Sequence, residues 1–173
     1  MSARAKNARA PAVRFRTRPR AGDVEALRAL VARIDAFSAE ECAVASELLE
    51  ERLARGVRSG YWFIFAEQGR ELVGYCVFGP VPMTAASYDL YWIATAPHAE
   101  GRGIGRRLLE LAEQDIARRG GGRMYIETSS RAAYARTRRF YRAAGYRQAA
   151  RLRDFYAPTD DKIVFEKVVA PRD

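Results

Sequence analysis

Leu90-Tyr91-Trp92-Ile93-Ala94-Thr95-Ala96-Pro97-His98-Ala99-Glu100-Gly101-Arg102-Gly103-Ile104-Gly105-Arg106-Arg107-Leu108-Leu109 joins two opposite hydrophobic patterns across a glycine-rich loop. Its first part is aromatic and β-branched, as in a strand. After the loop, Ile104, Leu108, Leu111, Ala112 and Ile116 recur at the spacing of one helix face, and Gly120-Gly121-Gly122 ends the run. Gly101, Gly103 and Gly105 let the backbone bend and approach a ligand closely, since no Cβ intervenes. A helix starting there aims free N–H groups and its positive dipole end at the ligand space, with Arg102, Arg106 and Arg107 alongside. That chemistry suits a pyrophosphate.

Other readings compete with it. A glycine turn without a ligand is the plainest. A dinucleotide-binding fingerprint also places glycines between strand and helix, with Glu127 about where a ribose-binding acid would stand. Against it, Arg106 fills the third glycine position of G-x-G-x-x-G, Ala96–Glu100 lengthen the loop, and the motif lies mid-chain. A Walker A loop needs Gly-Lys-Ser/Thr, which does not follow.

Outward from this stretch, Val13, Phe15 and Thr17 alternate with arginines and predict a first strand. Asp23 is a candidate N-cap for a helix burying Leu27, Leu30, Val31 and Ile34, and Ser38 with Glu41 has capping-box spacing for a second, reaching Gly56. Tyr61–Glu67, Glu71–Phe78 and Tyr88–Thr95 predict an antiparallel meander. Downstream come a strand at Met124–Thr128, a helix from about Ala132 to Ala144, and strands at Tyr146–Tyr156 and Ile163–Val168. The order is β-α-α-β-β-β-α-β-α-β-β.

Ile93-Ala94-Thr95, Pro97 and Gly101-Arg102-Gly103-Ile104-Gly105-Arg106 resemble the acetyl-CoA-binding motif Q/R-x-x-G-x-G/A of the GCN5-related N-acetyltransferase (GNAT) superfamily. Phe140-Tyr141-Arg142-Ala143-Ala144-Gly145-Tyr146 is similar to the family's Phe/Leu-Tyr-x-x-x-Gly-Phe/Tyr segment. The resemblance covers about Val13 to Val169. It implies the α/β (α+β) acyl-CoA N-acyltransferase fold, a mixed central sheet of about seven strands flanked by about four helices.

It also implies direct transfer of an acetyl group from acetyl-CoA to an amine, of a small molecule or a protein, in a ternary complex, without a metal. Backbone groups of Ile93, Ala94 and Thr95 would hold the pantetheine and acetyl carbonyl. Gly101, Arg102, Gly103, Ile104, Gly105 and Arg106 would hold the pyrophosphate, and Tyr141 would protonate the leaving thiolate. Tyr134 stands where many members place Asn on the CoA-arm side, and Glu100 where they place Gln or Arg. For the base that deprotonates the amine, Glu127 is the first candidate and Asp89 the second. Trp62, Phe63, Phe65, Tyr88, Tyr91 and Trp92 are core residues first and acceptor-pocket candidates second. The acids of Asp154–Lys162 read as a solvated turn, or else as an attraction for a cationic amine.

The chain has 173 residues, room for one domain, with 49% hydrophobic and 29% charged residues, which excludes a disordered chain or a disulfide miniprotein. Cys42 and Cys76 are too few for a disulfide framework or a four-cysteine zinc site, and His98 is the single histidine available to a Ser-His-Asp triad. The net charge of +9 is uneven: residues 1–20 carry seven basic side chains and no acid. Residues 1–12 read as a basic disordered leader and 13–173 as the catalytic domain. The leader keeps a nucleic-acid-associated protein open beside the dinucleotide-binding oxidoreductase, although nucleic acid is not the favoured partner. With no apolar run of about 20 residues, a cytoplasmic location is expected, and a homodimer is left open.

Overall fold

The structure is a computed structural model and describes residues 11–35 and 37–172. The leader at 1–12 therefore lies outside it except for Pro11 and Ala12.

Among the described residues seven strands form one sheet: β1 (Val13–Arg16), β2 (Trp62–Gln68), β3 (Glu71–Pro80), β4 (Ser87–Thr95), β5 (Gly122–Ser129), β6 (Arg147–Ala157) and β7 (Asp160–Val169). Their spatial order is β1-β2-β3-β4-β5-β7-β6. The meander β1 to β4 is antiparallel, as its short connections require, and β5-β7-β6 is antiparallel too. Only β4 and β5 run parallel among the described strands, because a helix crosses between them. The mixed sheet and the helices α1 (Asp23–Val31), α2 (Ala39–Arg55), α3 (Ile104–Arg118) and α4 (Ala135–Ala143) are the acyl-CoA N-acyltransferase architecture that the resemblance implied.

Local chemistry explains the boundaries. Ser38 and Glu41 form the reciprocal capping box: Ser38 Oγ accepts from the Glu41 N–H at 3.2 Å, and Glu41 Oε2 accepts from the Ser38 N–H at 2.7 Å. Gly56, at φ +59°, stops α2 and starts an unanticipated 3-10 turn, Gly56–Ser59. Asp23 is the first residue of α1 and not its N-cap. Its carboxylate instead accepts from the Arg20 N–H at 2.7 Å and pairs with Arg16. Helix α1 ends at Val31, so Ile34 falls in the following turn. The helix expected from Ala132 begins as a 3-10 turn, Ala132–Tyr134, before α4.

Strand alternation sorts the core into two layers. Gly74 and Cys76 face α3: a Cβ on Gly74 would stand 3.2 Å from Ile104, and Cys76 Sγ lies 3.7 Å from the Leu108 carbonyl. Tyr75, between them, faces the other way, toward α1 and α2. Leu27, Leu30 and Leu49 fill that layer; Leu108, Ala112 and Ile116 fill the α3 layer, and all six are fully buried. Ile163 and Phe165 of β7 are buried as well, the latter with its ring 5.9 Å from Tyr141 of α4. Edge strand β6 is exposed along its whole length.

Candidate active site

The parallel pair β4–β5 stays in register only from Ser87↔Arg123 to Leu90↔Ile126. Beyond it β4 remains with β3 as far as Thr95, and β5 remains with β7 as far as Ser129, so the two strands part. A bulge marks the departure. Leu90 stands opposite Phe78 and Trp92 opposite Val77, which leaves Tyr91 as an extra residue that increases the local twist. The β4 edge from Tyr91 to Thr95 is thereby freed of a β5 partner, and Ile93, Ala94 and Thr95 line the gap.

Helix α3 opens into the same gap. Gly103 is its N-cap, at φ +77°, and supplies no side-chain cap; Gly101 is at φ +71°. Both conformations favour glycine, and the first-turn N–H groups of α3 are left for an anion. Gly105 differs. Its φ is ordinary, and a Cβ there would meet Thr95 Oγ1 at an unremarkable 3.5 Å, so its contribution is to line the groove. The groove measures about 360 Å³ and is closed on its far side by Arg136, Thr137 and Phe140 of α4.

The arginines divide. Arg106 lines the groove and ties α3 to α4, with Nη1 donating to the Ala143 carbonyl at 3.1 Å while Nε donates within α3 to Glu110 at 3.0 Å. Arg102 turns away, donating to Gln68 Oε1 at 2.9 Å, and is not among the groove's lining residues. Arg136, which sequence reasoning missed, takes its place at the mouth. It pairs with Glu100 at 2.6 Å, so the acid that stood at an unusual position is neutralised. The available signal was a cation in the first turn of a helix, where the dipole disfavours positive charge.

Tyr141 is buried behind the groove, its ring 5.3 Å from Phe140 and 6.2 Å from Tyr146. Burial pushes its phenol well above the usual tyrosine value, with the Cys76 thiol adding a little. Cys76 is the register partner of Ile93, and Tyr141 itself is not a groove-lining residue. Tyr134 stands elsewhere: its hydroxyl donates to Glu41 Oε1 at 3.4 Å, bridging to the start of α2, and it is not a groove-lining residue.

On the α1/α2 face, carboxylates gather where β4 and β5 separate. Asp89 is half-buried, and burial first, then Glu127, raises its pKa, while Lys162 lowers it. Glu127 is exposed, with Oε2 2.7 Å from Lys162 Nζ. That ammonium is largely enclosed and lies 3.7 Å over the Phe155 ring. Tyr61 and Tyr91 meet edge to face at 5.3 Å, as do Phe37 and Trp92 at 5.7 Å. Phe63 and Phe65 are core residues, and Trp62 and Tyr88 pack together. The turn read as solvated is corrected: Asp160 and Asp161 are buried. Ser129 Oγ donates to Asp160, the Asp154 N–H donates to Asp161 Oδ1, and Arg151 donates to Asp161.

A sheet that parts beside an uncapped, glycine-bounded helix start is the signature of a coenzyme A acyltransferase. The chain belongs to the acetyltransferase (GNAT) family, which matches residues 25–146. It is 38% identical over 98 residues to the N-alpha-acetyltransferase RimI of Mycobacterium tuberculosis, a match spanning 54% of this chain and 57% of that protein's length. A crystal structure of a GNAT-family acetyltransferase from Desulfovibrio desulfuricans is 43% identical, with a TM-score of 0.90 over 92% of this chain and 100% of that one. The ribosomal-protein-S18-alanine N-acetyltransferase of Escherichia coli shares the fold, with 21% identity and a TM-score of 0.73 over 94% of this chain and 97% of that one. So does an aminoglycoside 6'-N-acetyltransferase solved with coenzyme A, at 19% identity and a TM-score of 0.71 over 94% of this chain and 99% of that one.

Proposed function

We propose that the protein transfers an acetyl group from acetyl-CoA directly to an amine within a ternary complex. The observation that carries this reading is the separation of β4 from β5 beside the uncapped start of α3. The groove fits the co-substrate chemically. The backbone at Ile93–Thr95 offers unpaired groups to an amide-bearing arm, and Gly101, Gly103, Ile104, Gly105 and Arg106 offer amides and charge to a pyrophosphate. Arg136 adds a second cation there, while Arg102 and Tyr134 stand back from the groove.

The thioester supplies the acetyl group; the residues supply placement and protons. With its phenol held protonated by burial, Tyr141 donates a hydrogen bond toward the departing sulfur. A phenol with a raised pKa gives up its proton reluctantly to a thiolate, whose reference pKa is about 8.5, so donation and not full transfer is its contribution. Glu127 stands at the opening of the gap, level with Tyr91, and takes the amine's proton through water; Asp89 lies deeper along β4. Together these acids attract an ammonium, and Lys162 marks where one rests.

A protein N-terminus is the first acceptor to test, given the α-amine specificity in the mycobacterial relative's name. A cytoplasmic location is part of the same proposal. Among the described residues no helix is long and apolar enough to cross a membrane. The test is a calorimetric titration with acetyl-CoA, CoA and NAD, followed by CoA release on addition of peptides and small amines. Binding of NAD in place of acetyl-CoA, or salt-sensitive nucleic-acid binding with no CoA release, would replace this reading with one of its two rivals.

A further inference from the structure

A second cleft, of about 240 Å³, opens at the opposite end of α3 from the glycine loop. It forms where β1 stops at Arg16↔Phe65 and leaves the β1-side edge of β2 from Trp62 to Ile64 without a described partner strand. Phe15, Trp62 and Phe78 supply apolar walls, and Arg16, Arg52, Arg118 and Arg119 line it beside a single acid, Asp115. Arg16 is satisfied by Asp23 and Glu67, and Asp115 is shared by Arg118 and Arg119. Arg52 has no such partner among the described residues. Its Nη1 is buried without a hydrogen bond among the described residues, and burial first, then the like charge of Arg119, lowers its pKa. Arg119 in turn lies over Trp62, its Cζ 3.8 Å from the ring centroid.

Arg52 sits in the last turn of α2, where a cation complements the dipole, yet the exposed Arg55 serves that purpose without burying a nitrogen. An unpaired guanidinium nitrogen withdrawn from water is unfavourable unless something accepts its hydrogens. The cleft that the Arg52 side chain lines far exceeds the roughly 10–15 Å³ that one water needs.

We infer that this cleft binds a compact oxyanion, a phosphate or carboxylate group, at the guanidinium groups of Arg52 and Arg119 beside the Trp62 ring. Planar guanidinium forks match such oxygens in pairs, and the aromatic walls favour a small ligand over an extended chain. The site is separate from the acetyl-CoA groove, with which it shares no lining residue.

The test is a melting-temperature titration of the full chain with inorganic phosphate and, separately, malonate, at ionic strength held constant with sodium chloride. One site should give a saturable rise of about 3–6 °C at ten times the dissociation constant. Arg52→Met should abolish the rise; lacking any bond to lose, this variant should melt at or above the wild type without phosphate. Arg52→Lys should weaken the response at least tenfold, and Arg106→Met should leave it intact. A response to phosphate alone identifies a phosphoryl ligand, and one to malonate alone a carboxylate. The inference is overturned by equal rises in the wild type and Arg52→Met, by loss of the rise in Arg106→Met, or by no saturable response to either anion.

Discussion

Replacing Tyr141 by Phe removes one oxygen from the interior and leaves in place the ring that packs against Phe140, Tyr146 and Phe165. The hydroxyl makes no hydrogen bond within the described residues, so its removal leaves no partner unsatisfied and melting temperature should move by no more than about 2 °C. Catalysis should respond differently. A hydrogen bond to a group carrying charge contributes about 1.5–3 kcal/mol, which corresponds to a loss of about 10- to 150-fold in kcat/KM if that charge develops on sulfur at the transition state. Because burial keeps the phenol protonated past its ordinary pKa of about 10, the loss should be the same at every pH from 6 to 9. Thiol release followed with a chromogenic disulfide measures the rate, and calorimetry measures acetyl-CoA affinity. A variant within twofold of the wild type, or one whose whole defect is weaker acetyl-CoA binding, would refute the assignment of Tyr141 to the sulfur.

Three further outcomes follow from the same geometry. Glu100→Gln removes the acid that occupies Arg136, and because that pair is exposed and worth only about 0.2–1 kcal/mol, acetyl-CoA should bind up to about fivefold tighter; weaker binding in calorimetry would mean that the pair holds the groove in shape. Lys162→Met takes away the cation that lowers the Asp89 pKa, so that pKa rises further and the acidic limb of the kcat/KM profile should move to higher pH; an unmoved limb would separate these carboxylates from the proton path. Burial raises the phenol pKa values of Tyr75, Tyr141 and Tyr146 in the folded chain, so the unfolded phenols ionise first. Stability should therefore hold up to about pH 10 and fall above it, read as a drop in urea midpoint between pH 9 and 10.5 with none between pH 7 and 9.

Features of this chain with a local cause are the ones visible in its sequence. The α3 stripe, the Ser38–Glu41 box and the meander each depend on residues within one or two turns of each other, and each forms as its spacing predicts. The site depends on distant choices. Arg102 and Arg106 belong to one motif, but Gln68, far back in the chain, draws the first away from the groove while the Ala143 carbonyl holds the second within it. Asp160 and Asp161 look like turn residues until Ser129, Ser130 and Arg151 close over them through bonds that the local stretch does not disclose. Glu127 acquires its cation because β7 sets Lys162 opposite Ser129, a diagonal neighbour two residues along, and a one-residue slip in that register would turn the lysine to the other face. Even the gap between β4 and β5 follows from the extra residue at Tyr91, a bulge that strand propensity cannot announce because Tyr91 is as good a strand former as its neighbours. The glycines thus mark where the co-substrate can approach, while the long-range register decides which charges meet it there.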